Sequence, residues 1–386
     1  MNVNEILALF PDKILEDLAL ETGLNKYSKK LQAEIVFKLL IHCILSHKDN
    51  SLRTMESVYE TMSFNLLQSD TEKKKIRYSS ISERLSRMNY IYFEKLFYKC
   101  VEIYGKVLGE EKASLTRFDS TIVAVSGQLL KVGYQLKGSS HYLKQLKFTI
   151  GLSDIPTSAD IYLEHQYVCE NIALRESILT HRPSKSNPIR VFDRGLSSQR
   201  SFEEFTLKQI PFITRLNTSR KTVDVTINTI IDPIKTDTLE IYSDNWVYLF
   251  SEGKKGNMPV RCIKAIIINT RQPIWFVSNI PEFSTVEVTT IYKRRWDIET
   301  FFKFLKQELN LSHLINRSEN GIKLMLFATL IASILLIVYK KTNGLTGYKI
   351  MRLRFVQDLE KWLMMDIVFM LGGDMDKAKK LFFNSS

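Results

Sequence analysis

Three acidic residues occupy positions where an ionised side chain calls for an explanation. Asp119 falls inside TRFDSTIVAV (116–125), whose alternation and β-branched residues read as a strand. Asp193 closes the apolar run in PIRVFDRG (188–195), just before Arg194-Gly195. Ligand sites in α/β sheets gather at the carboxyl ends of strands, which favours Asp193 for chemistry. Taken singly, the ordinary reading of each is a helix cap, a turn residue or an ion-pair partner. The third acid, Glu299, belongs to a pattern in IYKRRWDIETFFKFLKQELN (291–310). On one continuous helix Tyr292, Arg295, Glu299 and Lys306 project within about 60° of one another, and Lys303 lies close enough to join them. Ile298, Phe301, Leu305 and Leu309 form a separate apolar stripe suited to pack on a sheet. Carboxylate oxygens without paired Cys or His suit hard Mg²⁺ or Mn²⁺ better than zinc.

The string Tyr292-x2-Arg295-x3-Glu299-x6-Lys306, with Trp296, Ile298, Phe301 and Lys303 between, resembles the YREK signature of DDE transposases of the insertion-sequence-four type. These are bacterial cut-and-paste enzymes with a ribonuclease-H-like catalytic core. Asp119 in FDST resembles the first aspartate of the DDE triad and Asp193 in FDRG the second. The resemblance runs from about residue 114 to 340. It implies that Asp119, Asp193 and Glu299 are catalytic and hold two Mg²⁺, with Mn²⁺ as a substitute. It implies DNA contacts from Tyr292, Arg295, Lys303 and Lys306. Trp275, in IWFVSN, resembles a family tryptophan that stacks on a flipped base; a core aromatic on a strand is the other reading. One departure is Phe302, where a polar residue is common in the group.

The implied chemistry suits these residue types. Two metal ions held by three carboxylates activate an oxygen nucleophile, stabilise the leaving alkoxide and neutralise a crowded phosphorus. Arg295 and Lys306 offer charge-assisted contacts to phosphates, and Tyr292 a hydroxyl. The implied reaction is a nick at the element's end, a hairpin formed and reopened, and joining of the 3′-OH to target DNA. The expected partners are terminal inverted repeats, target DNA and a second copy of the chain on paired ends. A catalytically silent DNA-binding descendant and a ribonuclease-H-like nuclease are the alternatives.

The elements that must position these residues follow from periodicity. Residues 1–112 read as helical, an expected DNA-end-binding unit, with KKKIRYSSISERLSRMNY (73–90) as a helix-turn-helix-like segment or a plain bundle; Ser79 or Ser80 would cap its helix. Strands at 145–154, 159–168, 188–195 and 211–217, with helices at 170–180 and 198–207, describe a mixed α/β layer over 113–217. Residues 218–270 read as an inserted set of antiparallel strands, and the 106 residues from Asp193 to Glu299 leave room for it. Residues 271–345 return to the core with the signature helix, and 346–386 form a helical C-terminal segment. The expected fold class is therefore α/β: a ribonuclease-H-like core interrupted by a β-strand insertion, between helical N- and C-terminal regions.

Composition narrows the classes. The chain of 386 residues is 45% hydrophobic, 11% aromatic and 25% charged, which excludes intrinsic disorder. Four scattered cysteines without a CxxC argue against a disulfide framework or a cysteine zinc site. The 54 basic and 42 acidic residues leave +12, which points to a polyanion. Basic and acidic residues number 18 and 16 over 1–118, 8 and 6 over 119–192, 15 and 12 over 193–298, and 13 and 8 over 299–386, so no basic tail carries the excess. Acids in the first 20 residues argue against a signal peptide, and a cytoplasmic bacterial protein is expected. The 16-residue apolar stretch 324–339 falls short of the roughly 20 needed to span a bilayer and reads as a buried core helix, with no membrane partner.

Overall fold

The computed structural model describes residues 1–383 except 27, 48–49, 69–74, 110–114, 126–133, 136–143, 183–186, 227–228 and 312. Lys73 and Lys74, the start of the basic run, and the expected boundary at 112–113 lie outside the described residues. Seven helices come first: α1 (Val3–Ala8), α2 (Asp12–Glu21), α3 (Ala33–Ser46), α4 (Leu52–Tyr59), α5 (Met62–Leu67), α6 (Tyr78–Arg87) and α7 (Ile91–Leu108). In α7 the apolar positions Phe93, Leu96, Phe97, Cys100 and Tyr104 recur at three and four and are all buried. Gly109, at φ 75°, ends it in a backbone region that glycine enters without penalty. Neither expected serine caps α6. Its N-cap is Arg77, and the Tyr78 amide is satisfied instead by Glu56 Oε2 at 3.2 Å, reaching over from α4.

A mixed sheet follows. β1 (Leu115–Val125), β2 (Tyr134–Gln135), β3 (Lys144–Leu152) and β4 (Pro156–Tyr162) lead through a 3₁₀ turn at His165–Val168 to α8 (Glu170–Thr180). Then come β5 (Ile189–Phe192), α9 (Gln199–Leu207) and β6 (Phe212–Leu216). β4, β3 and β1 pair antiparallel, and β1, β5 and β6 pair parallel. This order and polarity are consistent with the ribonuclease-H-like core that the resemblance implies.

Within 218–270 lie β7 (Thr222–Asp224), β8 (Thr229–Lys235), β9 (Leu239–Ser251), β10 (Lys254–Lys255) and β11 (Val260–Ile267). They pair antiparallel and, through β12 (Pro273–Ser278), extend the same sheet beyond β6. The last helices are α10 (Thr285–Lys293), α11 (Trp296–Glu308), α12 (Glu319–Thr342), α13 (Tyr348–Met370) and α14 (Met375–Phe383).

Side-chain alternation divides the sheet cleanly. Phe118, Phe192, Phe212 and Val277 face a cluster with α8 and α9, whereas Leu115, Val191, Ile213 and Phe276 face α10. The largest cluster joins α1–α7 to α11, α12, α13 and residues of β3 and β4. Its centre is α12. This helix is longer than the apolar stretch suggested, 24 residues with mean hydropathy 2.4 in its most apolar window, so by length and composition it could cross a membrane. That window is 94% buried within the fold, against α3, α6, α7 and α13. Phe327 on α12 sits 5.8 Å from the Phe97 ring and stacks on Tyr90 at 6.5 Å. Phe327→Ala is expected to cost about 3–5 kcal/mol, read as a lower urea midpoint with unchanged slope. An unmoved midpoint would mean that α12 does not close this core.

Candidate active site

The signature segment is not one helix. α10 ends at Lys293 and α11 begins at Trp296, with Arg294 and Arg295 forming a tight joint between them. There the backbone bonds run three residues apart, Arg294 to Ile291, Arg295 to Tyr292 and Ile298 to Arg295. The joint is held by Arg117 of β1, 1% exposed. Its Nε donates to the Arg294 carbonyl at 3.1 Å, one Nη to the Ser153 carbonyl at 2.9 Å, and the other lies 3.0 Å from Asp297 Oδ2. Four residues further along the same face of β1, Thr121 Oγ1 accepts from Lys306 Nζ at 2.6 Å. Between these two ties projects Asp119. The expected apolar stripe of α11 is buried, with Ile298, Phe301, Leu305 and Leu309 all in the core.

Four of the expected residues meet. Tyr292, almost fully buried, donates its hydroxyl to Asp193 Oδ1 at 3.5 Å, and Arg295 Nη2 reaches Glu299 Oε1 at 2.5 Å. Asp119 joins them electrostatically. Burial pushes its carboxyl up to about 6; the Ser120 amide, 2.8 Å from Oδ1, opposes that shift, Glu170 and Asp193 add to it and Arg295 opposes it. Burial also raises Tyr292, with Asp193 adding to the effect. Burial alone would lower Arg295, but the bond to Glu299 and the nearby Tyr292 and Asp193 leave it raised.

Other residues fall differently. Lys303 is exposed on α11, and Phe302, the departure from the group, is a buried core residue. Trp275 is not brought to the others: it lies on the opposite face of the sheet, packed beside the Phe192 cluster with Lys264 Nζ 4.7 Å from its ring centroid. The exposed tryptophan beside the acids is Trp296, 63% exposed, with the Arg295 guanidinium 5.4 Å from its ring. Three contributors escaped the sequence reading. Arg117 and Glu170 carry no local pattern, and Arg215, level with Asp193 on β6 and facing the same side, becomes a neighbour only through strand pairing.

A divalent metal is implied by the resemblance, and the donor set fits one in kind. The acids offer only oxygen, and Asp119 sits in a negative field that a cation would relieve. Their spacing is not that of a finished site. Among the described residues no three Asp, Glu, His or Cys stand close enough to hold an ion, and Glu299 is engaged by Arg295.

With this geometry in view, the sequence profile described as "Transposase DDE domain" matches residues 111–335, over half of the chain. The chain belongs to the DDE transposase family. Three similar proteins carry transposase names. One from Sinorhizobium fredii is 26% identical over 42% of this chain and 45% of its own length. One from Synechocystis sp., named for insertion sequence element IS4SA, is 24% identical over 65% and 68%. One from Geobacillus stearothermophilus, named for element IS5377, is 34% identical over 21% and 22%. The chain thus spans under half the length of two of these relatives. The family match takes in Asp119, Asp193, Glu299 and the β7–β11 strands, so the matched domain includes the whole extended sheet.

The raised carboxyl of Asp119 has a stability consequence. Between pH about 4 and 6 the unfolded chain releases this proton first, so ionisation costs the folded state roughly 2–3 kcal/mol once pH exceeds 6. Asp119→Asn, which keeps the Ser120 contact, should raise Tm at pH 8 without divalent cations, and the gain should vanish below pH about 4. An equal gain at both pH values would assign the effect to packing.

Proposed function

We propose that the chain is a cut-and-paste transposase that cleaves DNA at the ends of an insertion sequence and joins them to target DNA. The observation that carries the reading is the convergence of Asp119 and Asp193 beneath Tyr292 and Arg295, with Glu299 one salt bridge away. Asp119, Asp193 and Glu299 would hold two Mg²⁺, or Mn²⁺, which supply an activated oxygen nucleophile and neutralise the leaving alkoxide.

The remaining roles belong to the protein's own cations. Arg295 is bound to Glu299. An incoming phosphate competes for the guanidinium, and the exchange frees Glu299 to face the aspartates. Lys306, tied to β1 through Thr121, and the exposed Lys303 border the same helix face and meet the adjoining backbone. Tyr292 steadies Asp193. Cleavage would pass through a hairpin, which needs the terminal strand bent sharply within this row. Trp275, on the other face, is left out of these contacts. Two copies would act on paired ends, in the bacterial cytoplasm.

The N-terminal helices would hold the terminal repeat. A cleft of about 980 Å³ between α4, α6 and the segment before α3 is lined by Lys29, Lys75, Arg77 and Arg87 among others. Arg84 braces it by donating to the Leu24 and Leu31 carbonyls, both at 2.9 Å.

Two experiments test the reading. Asp119→Ala, Asp193→Ala and Glu299→Ala should each abolish Mg²⁺-dependent cleavage of the element's own ends while end binding persists. Full cleavage by any of them overturns the assignment, and wild-type binding without cleavage establishes the silent DNA-binding alternative. Lys75→Ala and Arg77→Ala should each weaken end binding and lower the slope of log K against log salt by about 1. An unchanged slope in both removes the cleft from the interface.

A further inference from the structure

We propose that Glu170 is a positioning residue of the same site, holding in place the turn that carries Asp193. Its catalytic consequence rests on the transposase reading, whereas its structural half rests on the fold alone. Glu170 opens α8, which lies on the face of the sheet opposite α10 and approaches the end of β5 from behind. One oxygen of its carboxylate is paired and the other lies against the turn. Oε1 lies 3.5 Å from Lys147 Nζ, a cation whose side chain is only 3% exposed and which also donates to the Val168 carbonyl at 2.9 Å. Oε2 occupies the space over Gly195, so close that a Cβ there would meet it at 1.9 Å.

The neighbouring residue completes the clamp. Asn171 Oδ1 accepts from the amides of Ser197 and Ser198 at 3.0 and 3.2 Å, and the Leu196 amide closes the turn on the Asp193 carbonyl at 3.2 Å. Residues 193–198 are therefore gripped by the first turn of α8, and the Asp193 carboxylate is left to face Tyr292 and Asp119. A side chain at 195 would push the Glu170 carboxylate off the turn, and the backbone there makes no separate demand for glycine, since its φ is not positive. Glu170 also contributes negative charge at Asp119, alongside Asp193. With Glu299 bound to Arg295, Glu170 remains an acid whose charge reaches Asp119.

The test uses the full chain and four variants: E170A, E170Q, G195A and the double G195A/E170A. Melting reads the clamp without any activity. G195A, which pushes the carboxylate aside, should lower Tm more in the wild-type background than it does once Glu170 is alanine; equal losses in both backgrounds overturn the proposal. Cleavage of element ends against Mg²⁺ concentration reads the positioning. E170A should raise the half-saturating Mg²⁺ by about tenfold or more with end binding within about twofold, and E170Q, which keeps the contact over Gly195, should recover most of the loss. Wild-type Mg²⁺ dependence in E170A overturns the proposal. Where E170A melts below the assay temperature, K147M/E170A takes its place, since it removes the buried charge left behind. A wild-type chain that cleaves nothing defeats the transposase reading, and the melting comparison then decides the role of Glu170.

Discussion

A single buried guanidinium organises the face on which the candidate site lies. Arg117 lies inside the fold, where an uncompensated charge costs several kcal/mol, and every side of it is answered: by the Arg294 carbonyl, the Ser153 carbonyl and Asp297. The Arg294 carbonyl is available because the chain between α10 and α11 turns more tightly than an α-helix. The joint and the arginine therefore require each other. Because Arg117 and Asp119 stand on one face of one strand, the residue that fixes the joint also fixes the distance from Asp119 to whatever the joint presents.

The joint presents Arg295. On a continuous helix Tyr292 and Glu299 would have shared one stripe; the break divides them between two short axes. Tyr292 is turned down onto Phe276 and Asp193, while Glu299 remains on α11 beside Arg295. The arrangement separates support from exchange. Tyr292 is locked by packing, whereas the Arg295–Glu299 pair, with the carboxylate partly open to solvent, can trade partners.

Much of this was legible in the sequence, and the exceptions share a cause. The helix at 170–180 and the strand that carries Asp119 were set by local periodicity and lie where it put them, whereas the strand expected over 188–195 stops at Phe192 and leaves Asp193 at the start of a turn. The joint at 294–295 was invisible because its partner is 177 residues away in the chain. Ser79 and Ser80 looked like caps, but a glutamate from another helix took that role. Trp275 was placed by motif, yet the face a strand residue occupies is decided by pairing; one residue along, Phe276 looks the other way. Glu170 has no motif, and its neighbours Lys147 and Gly195 come from the interior of β3 and from the turn after β5.

The central position of α12 has a consequence for how the chain is made. The helices of the first 108 residues pack around α12, and the Asn343 side chain donates to the carbonyl of Met1 at 2.8 Å, while Arg352 reaches the Leu45 carbonyl. During synthesis those early helices emerge long before their central partner. At roughly 5–20 residues per second the interval between residue 108 and residue 342 lasts on the order of 10 to 50 seconds. Over that time the faces of α3 and α7 that α12 covers, Phe97 among them, lack their final partner, and apolar surface left open on a nascent chain is prone to aggregation.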